Sequence, residues 1–212
     1  AHEAAGALAG LMRRRGVAPL VTLAGPAPAG WAPPSALASL RAGLVRRGVA
    51  LREQRVASRA SGSCRLADGQ ILPCDALLVA AGLRAPGLAA ASGLPVDALG
   101  RVRTAPALHA IDGTDVFAAG DCAVVEGDGR PMLGVFGVRA AGLLAANLAA
   151  LAAGRAMAPF RAQRRWLSIL DLGDGSGMAI RGRLWWQGRA ALRVKRLLDR
   201  RHMRRNRACH AA

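Results

Sequence analysis

The sequence predicts an α/β protein, and three observations carry this prediction. First, helical and strand patterns alternate in the first half of the chain: an Ala- and Leu-rich helix from His2 to Arg15, an apolar run from Leu20 to Ala24, and a helix from Ala36 to Arg47. Second, the apolar runs at 76–81 and 116–119 are continuous, which is typical of strands buried in a parallel sheet. Third, the later run ends in a Gly-Asp pair, and open α/β sheets bind ligands at the carboxyl ends of their strands.

Length and composition bound the class of protein. The 212 residues correspond to about one to two domains, and 52% hydrophobic with 20% charged residues excludes intrinsic disorder. No window approaches the roughly eighteen uninterrupted apolar residues of a membrane span, so we do not expect a transmembrane protein. The net charge is +17, almost entirely from Arg, since Lys195 is the only lysine. Because a GC-rich genome would produce the same Arg, Ala and Gly bias, the charge alone does not indicate nucleic-acid binding.

The other predicted elements are recognised by their turn and cap residues. They are a loop from Pro26 to Pro34 with Ser35 as helix N-cap, a strand from Val49 to Leu51, a hairpin of Cys64–Leu66 with Gln70–Leu72, a polar loop from Glu126 to Arg130, a helix from Gly137 to Ala153, two short strands around Gly173–Gly177, and a basic helix from Arg189 to Arg207. The Gly173–Gly177 segment lacks the Lys and Ser/Thr of a phosphate-binding loop, so we interpret it as a hairpin turn.

The cysteines and histidines give no sign of a metal site, a redox disulfide or a hydrolase. Cys64 and Cys74 flank the predicted hairpin and could lie near each other, but structural thiols are the favoured interpretation. The remaining residues of these types are scattered: Cys122, Cys209, His2, His109, His202 and His210. We therefore assign no catalytic residue, and expect a reducing compartment: the cytoplasm, or a peripheral position at the inner membrane surface.

The segment from Thr114 to Ala123 carries the clearest chemical signal. Gly120 would let the backbone approach a ligand closely, and the Asp121 carboxylate can accept hydrogen bonds from ribityl or ribose hydroxyls. The alternative is an ordinary strand followed by a turn. This segment resembles the second FAD motif of flavoproteins with two dinucleotide-binding domains. The resemblance implies that Asp121 contacts the ribityl chain of FAD, while Gly120, Cys122 and Ala123 supply backbone groups near it.

A second resemblance concerns the end of the 76–81 strand. Ala80-Ala81-Gly82 is similar to the Ala-Thr-Gly strand end that returns from the NAD(P) domain in such enzymes, although the threonine is missing. The resemblance implies that Gly82 lies at a cofactor-binding position. Strands followed by glycine also occur in many other folds, so an ordinary strand end stays open as the alternative.

Four further segments make the resemblance more specific: Gly134–Gly142 leading into Asn147-Leu148, Pro159–Arg161, Arg164–Ser168 and Leu197–Met203. They resemble the FAD-dependent oxidoreductase module associated or fused with selenide, water dikinase, which is similar to type II NADH dehydrogenases. This resemblance implies hydride transfer from NAD(P)H to FAD and on to an unidentified small-molecule electron acceptor, with Arg139 and Gly142 close to the flavin and selenide, water dikinase as a partner. Ala140 replaces the Gln usual in the family, which argues against a quinone-type acceptor.

The resemblance also implies the domain organisation. We expect residues 1–105 to form the latter part of an NAD(P)-binding domain with its return segment, residues 106–154 to close the FAD-binding domain, and residues 155–212 to form a small α+β domain. The expected fold is thus a truncated, Rossmann-like FAD/NAD(P) flavoprotein. Because no Gly-x-Gly-x-x-Gly turn occurs in the chain and Glu3 stands where its third glycine would be, we expect the pyrophosphate-binding turns upstream.

The basic segment from Arg181 to Arg207 interleaves Arg with Trp and Leu. We favour packing of its apolar face on the domain, with the Arg residues solvated. A weak anionic membrane surface is the next interpretation, and nucleic-acid phosphate the least favoured. The rival functions for the whole chain are therefore a basic RNA- or membrane-surface module and a non-catalytic remnant.

Overall fold

The computed structural model describes residues 1–18, 20–26 and 30–208, with no side chains described for 205–208. Predictions that involve Pro19, residues 27–29, the side chains of Arg205 and Arg207, Cys209 and His210 lie outside the described residues. The described residues form both helices and strands, with two parallel strand pairs, and the predicted α/β class is confirmed.

Five helices and ten strands are described. The helices are α1 (His2–Arg14), α2 (Pro34–Arg46), α3 (Leu88–Ala91), α4 (Gly134–Ala152) and α5 (Arg189–Ala208). The strands are β1 (Val21–Ala24), β2 (Val49–Arg52), β3 (Val56–Ala60), β4 (Ser63–Leu66), β5 (Ile71–Pro73), β6 (Val102–Thr104), β7 (Ala123–Val125), β8 (Ser168–Asp171), β9 (Gly177–Arg181) and β10 (Leu184–Gly188). The four longer helices, the hairpin and the strands around the 173–177 turn were all predicted to within a few residues.

Ser35 is not the N-cap of α2. The helix begins at Pro34, after Pro33 in the cap position, because proline already has the backbone conformation of a first helical residue and its missing N–H is not needed there. The Ser35 hydroxyl instead accepts a hydrogen bond from Nε1 of Trp185 at 3.0 Å.

The two predicted buried strands at 76–81 and 116–119 are wrong. Residues 76–80 form no strand, and Leu78 and Val79 are 69% and 73% exposed. Within 116–119 only Phe117 pairs, through an isolated antiparallel bridge to His109. An apolar run becomes a buried strand only where neighbouring strands cover its edges, and the two parallel sheets in the described part of the chain contain only β1 with β2 and β6 with β7.

Residues 1–80, together with the described residues from Arg165 onward, form one compact unit. Strands β1 and β2 pair in parallel, with Val21 opposite Val49, and their buried side chains pack against Ala5 and Ala9 of α1 and Leu44 of α2. Earlier residues on the same face of α2 contribute to a second core. This core consists of Ala36, Leu40, Leu172, Met178 and Ile180.

Helix α1 approaches the turn between β8 and β9 through a face of small residues. A Cβ atom added to Gly6 would lie 2.8 Å from the Leu172 carbonyl oxygen, and one added to Gly10 would lie 2.0 Å from that of Gly173. Oε1 of Glu3 accepts a hydrogen bond from the Asp171 backbone N–H at 2.8 Å. The glycines of α1 are therefore required for this close approach.

The second compact unit comprises Ala81–Arg164. Strands β6 and β7 pair in parallel, with Val102 opposite Ala123, and Val102, Ala110 and Ala118 form its core. The predicted domain limits at 105 and 154 stay a prediction.

Helix α4 is the long apolar helix of the second unit. By length and composition alone it could cross a membrane, and 22% of its apolar window is buried. The search for uninterrupted apolar runs missed it because Arg139 and Asn147 interrupt the run. Asn147 is 1% exposed, and its side-chain amide bonds the carbonyls of Ala107 and Ala158 and the N–H of Ala158, all at 2.9 Å. These bonds tie α4 to two loops of its own unit.

Helix α5 packs on its unit only near its beginning. Ala191 and Leu192 are buried, but Leu197 is 67% exposed and Leu198 and Met203 are exposed as well. The expectation that packing accounts for the whole apolar face is therefore wrong beyond the first turns. Strands β8 to β10 contact the helix, and among its described residues the buried ones, Ala191 and Leu192, both lie near its beginning.

Candidate functional site

The predicted Gly-Asp motif forms a tight turn against helix α4. Gly120, Asp121 and Cys122 form one turn of 3-10 helix between extended Ala119 and strand β7. Gly120 has a φ of +79°, a conformation that favours glycine. A Cβ added to Gly137, in the first turns of α4, would lie 3.2 Å from the Gly120 Cα. The two glycines thus let the turn and the helix touch through their backbones.

Asp121 presents a carboxylate at this turn that has no partner among the described residues. Its side chain is exposed, and within the described part of the chain the carboxylate accepts no hydrogen bond. Helix α4 starts after Leu133 without a side-chain cap, so amides of its first turn are available to a ligand. A free carboxylate and a free helix N-terminus therefore border the same turn.

The turn lines a cleft within the second unit. The other lining residues flank β6, or come from Ala119 and β7, the loop before α4, the first turns of α4, and Phe160: Arg101, Leu108, Ala119, Ala123, Val124, Val125, Asp128, Arg130, Pro131, Met132, Leu133, Phe136 and Ala140. Of the predicted cofactor-binding residues, Gly120, Asp121 and Ala123 line the cleft. Cys122 lies in the same turn, and its thiol donates a hydrogen bond to the Ala119 carbonyl at 3.3 Å.

Besides Cys122, three predicted residues do not line the cleft. Arg139 and Gly142 are exposed on α4, because the helix turns Phe136 and Ala140 inward. Gly82 is exposed with a φ of +110°, in a segment that forms no strand. Their roles toward the flavin stay predictions.

Arg130 is a cleft residue that the sequence analysis missed. Its guanidinium lies between the rings of Phe136 and Phe160, 5.1 and 4.7 Å from their centroids, and pairs with the Asp128 carboxylate. Cation–π contacts with two rings and an ion pair hold this arginine in place. The sequence offers only a polar loop between a strand and a helix here, since the two aromatic residues lie six and thirty positions away.

A second ion pair supports the same loop. The Asp97 carboxylate accepts hydrogen bonds from the Arg101 side chain at 2.7 Å and from the backbone N–H groups of Arg101 and Leu99. Partial burial by itself would raise the pKa of Asp97, but these hydrogen bonds lower it below its usual value. Nη1 of Arg101 donates to the Arg130 carbonyl at 3.3 Å, which connects the ion pair to the loop before α4.

The fold and the site together define a class of protein: an α/β nucleotide-binding protein with a Gly-Asp turn at a helix N-terminus. Residues 3–141 match the family model of the pyridine nucleotide-disulphide oxidoreductases, and the chain belongs to this family. Membership implies FAD and NAD(P)H as cofactors. No curated protein matches the chain in sequence.

Three solved structures share the fold. A ferredoxin reductase from Rhodopseudomonas palustris has a TM-score of 0.62 at 21% identity, over 88% of this chain and 54% of its own. Reduced CoADR-RHD from Bacillus anthracis has a TM-score of 0.63 at 20% identity, over 82% and 31%. LpdA from Mycobacterium tuberculosis has a TM-score of 0.57 at 18% identity, over 84% and 38%. The chain thus spans about a third to a half of the length of these structures.

Proposed function

We propose that this chain is part of an FAD-dependent NAD(P)H oxidoreductase that passes electrons to a small-molecule acceptor. The observation that carries the proposal is the Gly120-Asp121 turn, which presents an unpaired carboxylate in a cleft beside the uncapped start of α4. Family membership supports the same reaction class. Bound FAD would supply hydride transfer from NAD(P)H, and the protein would position it.

Each residue of the cleft has a role in this proposal. Asp121 would accept hydrogen bonds from the ribityl hydroxyls, and Gly120 and Gly137 let the turn pack directly against the start of α4. The first amides of α4 would stabilise negative charge nearby. Arg130, clamped between Phe136 and Phe160, holds the preceding loop in place and keeps a fixed positive charge in the cleft.

We further propose selenide, water dikinase as a partner. The support is the set of segments at 134–142, 159–161, 164–168 and 197–203, which resemble the oxidoreductase module associated with that enzyme. Co-purification of the two proteins tests this partner.

The flavin content of the chain tests the proposed function. The 212 residues contain no Gly-x-Gly-x-x-Gly turn for the pyrophosphate, and Asp121 offers one or two charge-assisted hydrogen bonds of about 1.5–3 kcal/mol each. We expect the 212-residue chain to purify without appreciable flavin, and the chain extended by its upstream coding sequence to retain it. The measurement is FAD released on denaturation per mole of protein. Stoichiometric flavin in the 212-residue chain would contradict the account of the missing turn, and an extended chain without flavin would contradict the proposed function.

A second candidate function is binding to an anionic membrane surface through the later part of α5. Leu197 is exposed there, and Arg200 and Arg204 follow it by three and seven positions, which places them on the same side of the helix. Several basic residues that face an anionic surface together contribute about 1 kcal/mol each. An exposed apolar residue among arginines favours a membrane surface over nucleic acid.

Two matched substitutions in α5 separate packing from membrane binding. Leu192→Asp places a charge in the buried part of the helix and should lower the free energy of unfolding by about 3 kcal/mol or more. Leu197→Asp should leave the melting temperature nearly unchanged and reduce sedimentation with phosphatidylserine vesicles. The double variant with Arg200→Glu and Arg204→Glu should have the same two effects. Neutral vesicles are the control. Vesicle binding unaffected by Leu197→Asp would contradict the membrane role, and binding to RNA with a steep salt dependence would favour the nucleic-acid alternative.

A further inference from the structure

We propose that Cys64 and Cys74 are a redox-active pair that forms a reversible intramolecular disulfide. Their Sγ atoms lie 3.0 Å apart, and both are free thiols in the structure. This inference is independent of the proposed flavin function, because neither residue lines the cleft beside Asp121. It also revises the expectation of merely structural thiols, which rested on the cysteine spacing alone.

The β4–β5 hairpin holds the two thiols close together. In the β4–β5 ladder Cys64 is opposite Leu72, with Arg65 opposite Ile71 and Ser63 opposite Pro73. Cys74 follows β5 directly, and its backbone N–H donates to the Gly62 carbonyl at 3.0 Å. Backbone hydrogen bonds therefore fix the positions of both cysteines in the hairpin. Closing the sulfur atoms to a bond of about 2.05 Å needs a movement of about 1 Å, within reach of side-chain rotation.

The two thiols differ in access. Cys64 is 4% exposed, whereas Cys74 is partly exposed. The hydrogen bond with Cys74, together with burial, raises the pKa of Cys64 above its ordinary value. Cys74 would therefore meet an oxidant first, and Cys64 would resolve the intermediate.

The proposed oxidant is a small-molecule disulfide, and the reaction is thiol–disulfide exchange. The Cys74 thiolate attacks one sulfur of the oxidant, forming a mixed disulfide and releasing one small thiol. Cys64, losing its proton, then attacks Cys74 Sγ and releases the second small thiol. Two protein thiols are oxidised to one disulfide, one small disulfide is reduced to two thiols, and both steps reverse with excess small thiol.

The disulfide would fix the start of an unpaired segment. Residues 75–80 follow Cys74 directly, form no strand and expose Leu78 and Val79. In the reduced form the Gly62 backbone contact and the side-chain contact with Cys64 hold this end. Oxidation would replace the side-chain contact with a covalent bond.

Tryptic digestion separates the two cysteines, so a disulfide between them can be detected as a pair of linked peptides. Trypsin cleaves after Arg59, Arg65 and Arg84, so Cys64 and Cys74 fall in different peptides, 60–65 and 66–84. The full chain is equilibrated in glutathione buffers from fully reduced to fully oxidised, alkylated, digested without reductant and examined by mass spectrometry. We expect the linked pair of peptides in the oxidised buffers, and separate alkylated peptides after return to reduced glutathione.

Two variants complete the test. Cys74→Ser should abolish the linked pair, whereas Cys122→Ser, which removes an exposed thiol outside the hairpin, should leave it unchanged. The unmodified chain alone can overturn the proposal, so the test does not depend on the folding of a variant. Three results would each overturn the proposal. The two peptides could be recovered unlinked in fully oxidised glutathione, Cys74 could be found only as a glutathione adduct, or the linkage could involve a cysteine outside the hairpin.

Discussion

Gly10→Ala is expected to lower the free energy of unfolding by about 3 kcal/mol. The added Cβ would lie 2.0 Å from the Gly173 carbonyl oxygen and 2.8 Å from its carbonyl carbon. Both are backbone atoms, which cannot rotate away as a flexible side chain would. The better helix propensity of alanine offsets only about 1 kcal/mol of this cost. Urea unfolding followed by far-UV circular dichroism measures the change.

Two other helical glycines provide the controls for this prediction. Gly142→Ala in α4 adds a Cβ with no atom within 4 Å and should leave stability unchanged or raise it by up to about 1 kcal/mol. Gly6→Ala, with the Leu172 carbonyl oxygen at 2.8 Å, should give an intermediate loss. Equal stability of the Gly10→Ala and Gly142→Ala variants would show that α1 does not approach the β8–β9 turn this closely.

Asp121→Ala is expected to weaken FAD retention by about tenfold to a hundredfold in the chain extended by its upstream sequence. Loss of a charge-assisted hydrogen bond costs about 1.5–3 kcal/mol, and each 1.4 kcal/mol is a factor of ten in affinity. The fold should be unaffected, because the side chain is exposed and bonds no other described residue. FAD content after extensive dialysis, with the melting temperature of the apoprotein, measures both effects.

Asp115→Ala is the matched control for Asp121→Ala. Asp115 is an exposed carboxylate six positions earlier and does not line the cleft. Its removal should leave flavin content at the parental level. Equal flavin retention in the Asp121→Ala variant and the parent would contradict the ribityl role of Asp121.

Local patterns predicted much of the secondary structure. The helices α1, α2, α4 and α5 follow apolar spacing at helical period, and the Asp68-Gly69 turn correctly placed the hairpin. The Gly-Asp pair was singled out from glycine conformation and carboxylate chemistry, which are properties of the residues themselves, and both residues line the cleft. The role of Asp121 toward the ribityl chain stays a prediction. These predictions needed no knowledge of distant parts of the chain.

Predictions that depended on a distant partner were less successful. The 76–81 and 116–119 runs are apolar enough for buried strands, but the neighbours that would cover them are absent from the described sheets. Leu197 lies five positions after Leu192, about 140° further around the helix, and of the two only Leu192 is buried. Periodicity identifies an apolar face and cannot show how far the surface that receives it extends.

The sequence by itself determined the α/β class, the principal helices and the Gly120-Asp121 turn, because each depends on residues close together in the chain. Only the tertiary structure decided three further features: Arg130 between Phe136 and Phe160, the fit of Gly10 against Gly173, and the contact of Cys64 with Cys74. Such contacts depend on ångström-scale distances between atoms of different elements. Packing of the whole chain sets those distances, and neither residue type nor spacing encodes them locally.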